Sequence, residues 1–187
     1  MPFFTYDWTS QNIPLFLKAL GPFKGKPTTA LEIGSFEGRS AVWFFENILT
    51  HQASNLHCVD TFEGSSEHNA LDLSTLESTF RANLRPWEKR ITVYKGTSHK
   101  VLPTIADRFD FIYVDGSHDP RDVCLDGILA WSLLKPGGVM IFDDFLWGAH
   151  LHKHQRPRVG VEAFLSVHQT QYSLIEQNYA LAIQRNG

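Results

Sequence analysis

The chain has 187 residues, of which 43% are hydrophobic and 20% charged, and its formal net charge is −3. This length and composition predict one globular domain, 1–187, with a substantial core. The weak negative charge and scattered basic residues argue against nucleic-acid or membrane partners, and no apolar run reaches membrane-spanning length. We therefore expect a cytoplasmic protein whose two cysteines, Cys58 and Cys124, are free thiols.

The chain begins with a predicted short helix, about residues 10–20, whose apolar face is Ile13, Phe16, Leu17 and Leu20. Seven short apolar runs then predict strands: Thr29–Ile33, Leu56–Val59, Ile91–Lys95, Phe109–Val114, Val139–Phe142, Tyr172–Glu176 and Ala180–Gln184. Helical patterns lie between most of them, and Thr61–Asp72 is predicted to be a polar loop.

Strands that alternate with helices predict an α/β fold, a Rossmann-like doubly wound sheet of seven mostly parallel strands. The two C-terminal runs are separated by too few residues for a crossover, so they are predicted to form one hairpin. That hairpin makes one strand near the C-terminus antiparallel.

Acidic residues follow two of the predicted strands. Asp115 follows Val114, and the pair Asp143-Asp144 follows Phe142. The spacing between the acids suits one right-handed crossover joining neighbouring parallel strands. The three carboxylates are therefore expected to meet at the carboxyl edge of the sheet, where open α/β folds bind ligands.

A glycine-containing turn, Gly34 to Gly38, follows the first strand, and Asp60 ends the second. Glycine lets the backbone approach a ligand closely, and an acid at the second strand end can bind ribose hydroxyls. A tight turn and a solvated acid are the alternatives for each feature alone. Together, and in this order, they favour a nucleoside-containing cofactor.

These motifs resemble those of class I methyltransferases that use S-adenosylmethionine. More narrowly, the chain is similar to the metal-dependent macrocin O-methyltransferase type, which is related to the catechol O-methyltransferases. The resemblance covers about Thr29 to Gln184 and implies methyl transfer to a hydroxyl of a small molecule, such as a sugar, a natural product or a catechol-like phenol. It also makes a homo-oligomer plausible.

The resemblance implies cofactor contacts for three segments. Glu32, Gly34, Ser35, Gly38 and Ser40 would hold the methionine part of S-adenosylmethionine. Asp60 would bind the ribose, with Thr61 and Phe62 beside the adenine. Ser98 and His99 match a third segment, with Ser98 at the adenine edge, and Asp115 also counts among the cofactor contacts.

The resemblance also implies a metal site at Asp115, Asp143 and Asp144, with a solvated strand end as the alternative. Three carboxylates suit a divalent cation such as Mg²⁺, which prefers oxygen ligands. His118 lies where related enzymes carry a basic residue, so we predict it to be the catalytic base. A histidine without a chemical role is the alternative.

Three other functions compete with this interpretation. A metal-dependent phosphoester hydrolase could use the same acids, but it would not need a nucleoside pocket. A dehydrogenase is disfavoured because the G-x-G-x-x-G fingerprint is missing. A catalytically silent member of the methyltransferase fold is the third alternative.

Overall fold

A seven-stranded sheet forms the centre of the protein in the computed structural model, which describes residues 2–65 and 72–187. The strands are β1 (Thr29–Ile33), β2 (Asn55–Asp60), β3 (Ile91–Lys95), β4 (Phe109–Val114), β5 (Leu134–Phe142), β6 (Tyr172–Gln177) and β7 (Leu181–Arg185). Their order across the sheet is β3-β2-β1-β4-β5-β7-β6. Strand β7 runs antiparallel to both neighbours, and the other pairs are parallel. The predicted fold class is confirmed.

Helices cover both faces of this sheet. They are α1 (Ile13–Leu20), α2 (Arg39–Asn47), α3 (Leu76–Asn83), α4 (Ser98–Val101), α5 (Pro120–Leu133) and α6 (Pro157–Val167). One apolar cluster lies between the sheet and α1–α3, and the other lies between the sheet and α4–α6. Successive side chains of a strand point to opposite faces of the sheet. In β4, therefore, Phe111 belongs to the first cluster and Ile112 to the second. The result is a doubly wound fold with three layers.

Strand β5 begins earlier than predicted. It starts at Leu134, opposite Phe109, and regular pairing resumes between Val139 and Phe111. The residues between them include Lys135-Pro-Gly-Gly138, and the register of the pairing shifts along this stretch. The predicted core of the strand, Val139–Phe142, is confirmed.

Helix α1 turns a different face to the core from the one predicted. Leu17 is 51% exposed, whereas Leu15 and Ala19 are buried beside Phe16 and Leu20. The helix packs against both the sheet and neighbouring helices, so its buried stripe shifts by part of a turn. The predicted loop Thr61–Asp72 includes residues 66–71, which lie outside the described residues.

The strand order reverses between β1 and β4. From β1 the chain proceeds to β2 and β3 on one side, and β4 then begins the other side. Loops that leave the carboxyl ends of β1 and β4 therefore diverge and open a crevice between them. No helix in the described part of the chain is long and apolar enough to cross a membrane.

Candidate active site

A cavity of about 630 Å³ opens at the carboxyl ends of β1 to β5. Most of the residues predicted to bind cofactor, metal or proton line it, namely Gly34, Ser35, Ser40, Asp60, Thr61, Ser98, His99, Asp115, His118, Asp143 and Asp144. Glu32, Gly38 and Phe62 do not belong to its wall. The structure thus gathers the motifs of five separate loops around one space.

The turn after β1 requires glycine at its first position. Gly34 has φ of +82°, and a Cβ built on it would lie 1.9 Å from the carbonyl oxygen of Asp115. The backbones that leave β1 and β4 approach this closely because Asp115 N donates to the Ile33 carbonyl at 2.8 Å. The bare backbone of Gly34 consequently faces the cavity.

Glu32 supports this turn from beneath. Its side chain is fully buried in β1 and accepts hydrogen bonds of 2.6 Å from the hydroxyls of Ser35 and Ser40. Burial raises the pKa of Glu32 to about 7, although these two hydrogen bonds act in the opposite direction. Glu32 therefore stabilises the conformation of the cavity wall through Ser35 and Ser40, but it does not line the cavity itself.

Asp60 ties the turn after β1 to the turn after β2. One carboxylate oxygen accepts from the backbone N–H groups of Ser35 and Phe36, at 2.6 and 2.9 Å, and the other accepts from Phe62 N at 2.6 Å. A carboxylate has about four acceptor sites, so about one remains for a ligand. Asp60 is thus fixed in orientation while it faces the cavity.

Two other residues predicted to contact the cofactor lie behind the wall. Phe62 is 6% exposed and packs against Phe80, with ring centroids 5.2 Å apart. Gly38 precedes α2 with φ of +81°, and a Cβ there would lie 3.0 Å from Phe80 and Leu84. Both residues shape the turns from the side of the apolar core.

An acid–histidine cluster occupies the β4–β5 end of the cavity. Ligand atoms of Asp115, His118 and Asp144 all lie within 4.8 Å of one another. His118 Nε2 is 2.6 Å from Asp144 Oδ2, and its ring packs on Trp147 at 4.3 Å between centroids. Three such groups at this spacing are chemically suited to hold a divalent cation.

Asp143 also lines the cavity, but its carboxylate is already hydrogen-bonded. Its Oδ1 accepts from Asn12 Nδ2 and from the backbone N–H of Asp144, both at 2.7 Å, and its Oδ2 accepts from the Tyr113 hydroxyl. Burial, followed by the charge of Asp144, raises the pKa of Asp143 to about 6. Asp143 lies outside the three-residue group found among the described residues.

Burial and neighbouring carboxylates raise the proton affinity of Asp115. Burial raises the pKa of Asp115 well above its ordinary value, and the carboxylates of Asp143 and Asp144 raise it further. Like charges that share a half-buried space are unfavourable unless a proton or a cation joins them. The residues present therefore fit a bound divalent cation.

The sequence reasoning missed the N-terminal segment that precedes α1. Tyr6, Trp8, Thr9 and Gln11 all line the cavity. The segment is held by hydrogen bonds of 2.6 Å from Thr5 to the Glu37 carboxylate and by an ion pair of 2.8 Å between Asp7 and Arg39. Its density of aromatic residues was the available signal, but nothing in the residue pattern reveals where such a segment docks.

Tyr179, in the hairpin between β6 and β7, was also missed. It lines the cavity, and its backbone carbonyl accepts from Leu146 N at 3.1 Å. Burial and the nearby carboxylate of Asp144 raise the pKa of the Tyr179 phenol. Its position depends on how β7 inserts between β5 and β6, which no local pattern indicates.

The methyltransferase domain family matches residues 31–145, well over half of the chain. O-methyltransferase hkm8 of Aspergillus hancockii is 31% identical over 119 residues, which are 64% of this chain and 43% of that protein. The chain spans about half the length of the curated relatives it matches.

Solved structures share the fold at low identity. An O-methyltransferase from Bacillus cereus in complex with SAH has a TM-score of 0.67 and 19% identity, over 97% of this chain and 84% of that one. TomG from Streptomyces achromogenes, an O-methyltransferase in complex with SAM, has a TM-score of 0.68 and 18% identity, over 97% and 82%. With the sheet order and the family match, these likenesses show that the chain belongs to the methyltransferase domain family and has its class I, Rossmann-like fold.

Proposed function

We propose that this chain is an S-adenosylmethionine-dependent O-methyltransferase that acts with a divalent metal, Mg²⁺ by preference, on a hydroxyl group of a small molecule. One observation carries the proposal. A single cavity joins the Gly34 turn and Asp60 to the cluster of Asp115, His118 and Asp144. A nucleoside cofactor and a metal-bound acceptor would therefore share one space, as direct group transfer requires.

The cofactor end offers groups suited to a nucleoside with an amino-acid tail. Asp60 presents an oriented carboxylate to ribose hydroxyls, and Gly34 leaves its backbone open to close approach. Ser35 and Ser40 border the same end. The cofactor would supply the methyl group, and these residues would hold its ribose and its amino-acid tail.

The metal end offers oxygen ligands in a half-buried setting. Asp115 and Asp144 would hold the cation, which would orient an acceptor hydroxyl and lower its pKa. Asp143 is assigned a supporting role, because Asn12, Tyr113 and the Asp144 N–H occupy its carboxylate. Its hydrogen bond to Asp144 N fixes the backbone that carries the next acid.

His118 is the group that would accept the acceptor's proton. Asp144 orients the imidazole through a bond of 2.6 Å, and Trp147 packs on the ring and limits its rotation. A neutral imidazole can take a proton near neutral pH, and the adjacent carboxylate stabilises the charged form. Placing His118 beside the cation also allows it to be a ligand, so loss of turnover and loss of metal binding must be measured separately.

Three aromatic residues border the space left for an acceptor. Trp147 contacts His118, while Tyr6 and Trp8 stack on each other with ring centroids 4.8 Å apart. Large aromatic faces can pack against the C–H face of a sugar or against the ring of a phenol. A small hydroxylated molecule with one flat face is therefore the proposed acceptor.

Calorimetric titration with S-adenosylhomocysteine tests the proposal, first with Mg²⁺ and then with EDTA. We expect micromolar-range binding by the wild-type protein and its loss in Asp60→Ala. Asp107→Ala serves as the control, because Asp107 is exposed and precedes the amino end of β4. Absence of binding by the wild-type protein under both conditions would overturn the proposed function.

A further inference from the structure

A buried carboxylate stands in the cavity wall away from the acid–histidine cluster. Asp126 lies on the sheet-facing side of α5 and is 2% exposed, yet it lines the cavity. Its helix neighbours on that side, Val123 and Ala130, are apolar core residues. Burial raises the pKa of Asp126 to about 6, although a hydrogen bond from Ser98 and the charge of His99 act in the opposite direction.

The carboxylate lacks a complete set of partners. Within the described part of the chain, Asp126 Oδ1 makes no hydrogen bond, and neither does His99 Nε2, although both atoms are buried. The two atoms lie 3.4 Å apart, within ion-pair distance, but they make no hydrogen bond with each other. Buried polar atoms in native proteins almost always have partners, so an acceptor and a ring nitrogen left open side by side indicate a ligand that fills both.

The hydrogen-bonding roles of these two atoms specify which edge of a ligand can bind beside them. Asp126 Oδ1 requires a donor, and the neutral His99 tautomer that carries its hydrogen on Nε2 would require an acceptor. Adenine presents this pair, an exocyclic amino group next to the unprotonated N1 of the ring. A 6-oxopurine presents the reverse, a carbonyl oxygen next to a protonated N1, and would place an oxygen against the carboxylate.

Asp126 and His99 line the same cavity as Asp60, the residue proposed to bind the ribose. His99 follows β3 and Asp126 belongs to the helix after β4, whereas Asp60 follows β2. A nucleoside whose ribose lies at Asp60 extends its base toward the neighbouring strand ends, away from the metal cluster. The cavity is continuous between these residues.

We propose that Asp126 is a specificity-determining residue, whose carboxylate accepts a hydrogen bond from the amino group of a 6-aminopurine while His99 donates to the adjacent ring nitrogen. This inference rests on the proposed function, since it concerns the base of the same cofactor. Ser98 was predicted to contact the adenine edge. Asp126 adds a contact from a different helix, and this contact would favour a 6-aminopurine over a 6-oxopurine.

The test compares two ligands, S-adenosylhomocysteine and S-inosylhomocysteine, by calorimetry. The wild-type protein should prefer the adenosine compound by tenfold or more, since a hydrogen bond to a charged group is replaced by a repulsive contact. Asp126→Asn should reduce this preference to about threefold or less. The new amide can rotate to donate to the 6-oxo group, so S-inosylhomocysteine should bind no more weakly than it does to the wild-type protein.

A second variant keeps the test decisive if Asp126→Asn does not fold. His99→Leu removes the donor to N1 and should also reduce the preference for S-adenosylhomocysteine over S-inosylhomocysteine. Glu162→Gln is the matched control, because it replaces an exposed carboxylate of α6 by an amide and should keep the wild-type ratio.

The outcomes separate the two proposals. A full preference for S-adenosylhomocysteine in both Asp126→Asn and His99→Leu would overturn the role of Asp126 and leave the proposed function standing. Failure of the wild-type protein to bind either compound would overturn the proposed function itself. A general loss of affinity with an unchanged ratio would count against selection by Asp126, because a purely structural defect weakens both ligands alike.

Discussion

His118 Nε2 lies 2.6 Å from a carboxylate oxygen of Asp144, although the residues are 26 apart in the chain. They meet because β4 and β5 are neighbouring parallel strands whose carboxyl ends lie together. The contact joins a proton acceptor to a candidate metal ligand. The histidine and the metal site are therefore expected to act as one unit.

Replacing His118 with alanine should lower kcat about 100-fold or more, because a positioned base commonly contributes 10²- to 10⁴-fold. Affinity for S-adenosylhomocysteine should stay within about threefold, since the nucleoside end of the cavity is untouched. Initial rates with any acceptor that the wild-type protein methylates, together with calorimetry, measure both quantities. His154→Ala removes an exposed loop histidine and should leave both unchanged. Wild-type turnover in His118→Ala would refute its role.

Divalent metal should stabilise the protein against heat. At about 100 times its dissociation constant a ligand adds about 2.7 kcal/mol, which corresponds to roughly 5–10 °C in Tm for a chain of this size. The shift with Mg²⁺ or Mn²⁺ should disappear in Asp115→Asn and in Asp144→Asn, because each loses a carboxylate of the cluster. Differential scanning calorimetry in metal and in EDTA measures it. An undiminished shift in both variants would place the cation elsewhere, and Asp107→Asn should behave as the wild type does.

Glu32 should make the protein less stable as the pH rises from about 4.5 to about 7. Its folded pKa of about 7 exceeds its ordinary value of 4.5, so the folded chain keeps a proton that the unfolded chain has lost. Stability is then lost as the pH rises through this window. Glu32→Gln cannot ionise, and its free energy of unfolding should fall less between pH 4.5 and pH 7.

Urea denaturation across that range measures the slope for the wild type, for Glu32→Gln and for the control Glu88→Gln, which alters an exposed residue. The control should retain the wild-type slope. Equal slopes for the wild type and Glu32→Gln would show that Glu32 does not bind the extra proton.

Gly34→Ala should destabilise the protein far more than Gly25→Ala, although both glycines have a similar positive φ. Gly25 has φ of +74° and nothing within 4 Å of a built Cβ, so Gly25→Ala should cost only about 1–2 kcal/mol for the left-handed conformation. At Gly34 the new methyl group would meet the Asp115 carbonyl at 1.9 Å. We expect a loss of about 4 kcal/mol or more, or no folded protein, by chemical denaturation. Similar costs at the two positions would show that the turn can move.

Local patterns in the sequence predicted the strands well, because each is a short apolar run that ends at a turn residue or an acid. They also predicted that Asp115, Asp143 and Asp144 would share one edge, since parallel neighbours place their ends together. Asp115 and Asp144 do come within 4.8 Å of each other, whereas Asp143 lies outside the three-residue group found among the described residues. They could not predict that Asn12 would bind Asp143 across 131 residues, because such a contact depends on how α1 docks. The same reasoning failed for Asp126, which on the helix resembles any other surface acid.

The position of Glu32 shows a second limit. Its place within a motif suggested a ligand contact, but strand alternation turns it toward the apolar layer that contains Ala30 and Ala41. Its partners, Ser35 and Ser40, are the residues that reach the cavity. A motif identifies which residues cooperate, and the direction of each side chain decides which of them touches the ligand.

Among the residues that the structure describes, three other than glycine hold left-handed backbone at or just behind the cavity wall. Phe36, Phe62 and Asp144 have φ of +47°, +56° and +55°, and they follow the ends of β1, β2 and β5. Each such conformation costs about 1–3 kcal/mol. Directed evolution that rewards heat resistance alone would favour glycine or asparagine at these positions. The resulting proteins would survive higher temperatures, but the loops beside the cavity would be more flexible. Because these loops position the residues of the candidate site, a thermostable variant obtained in this way should be screened for turnover at every round.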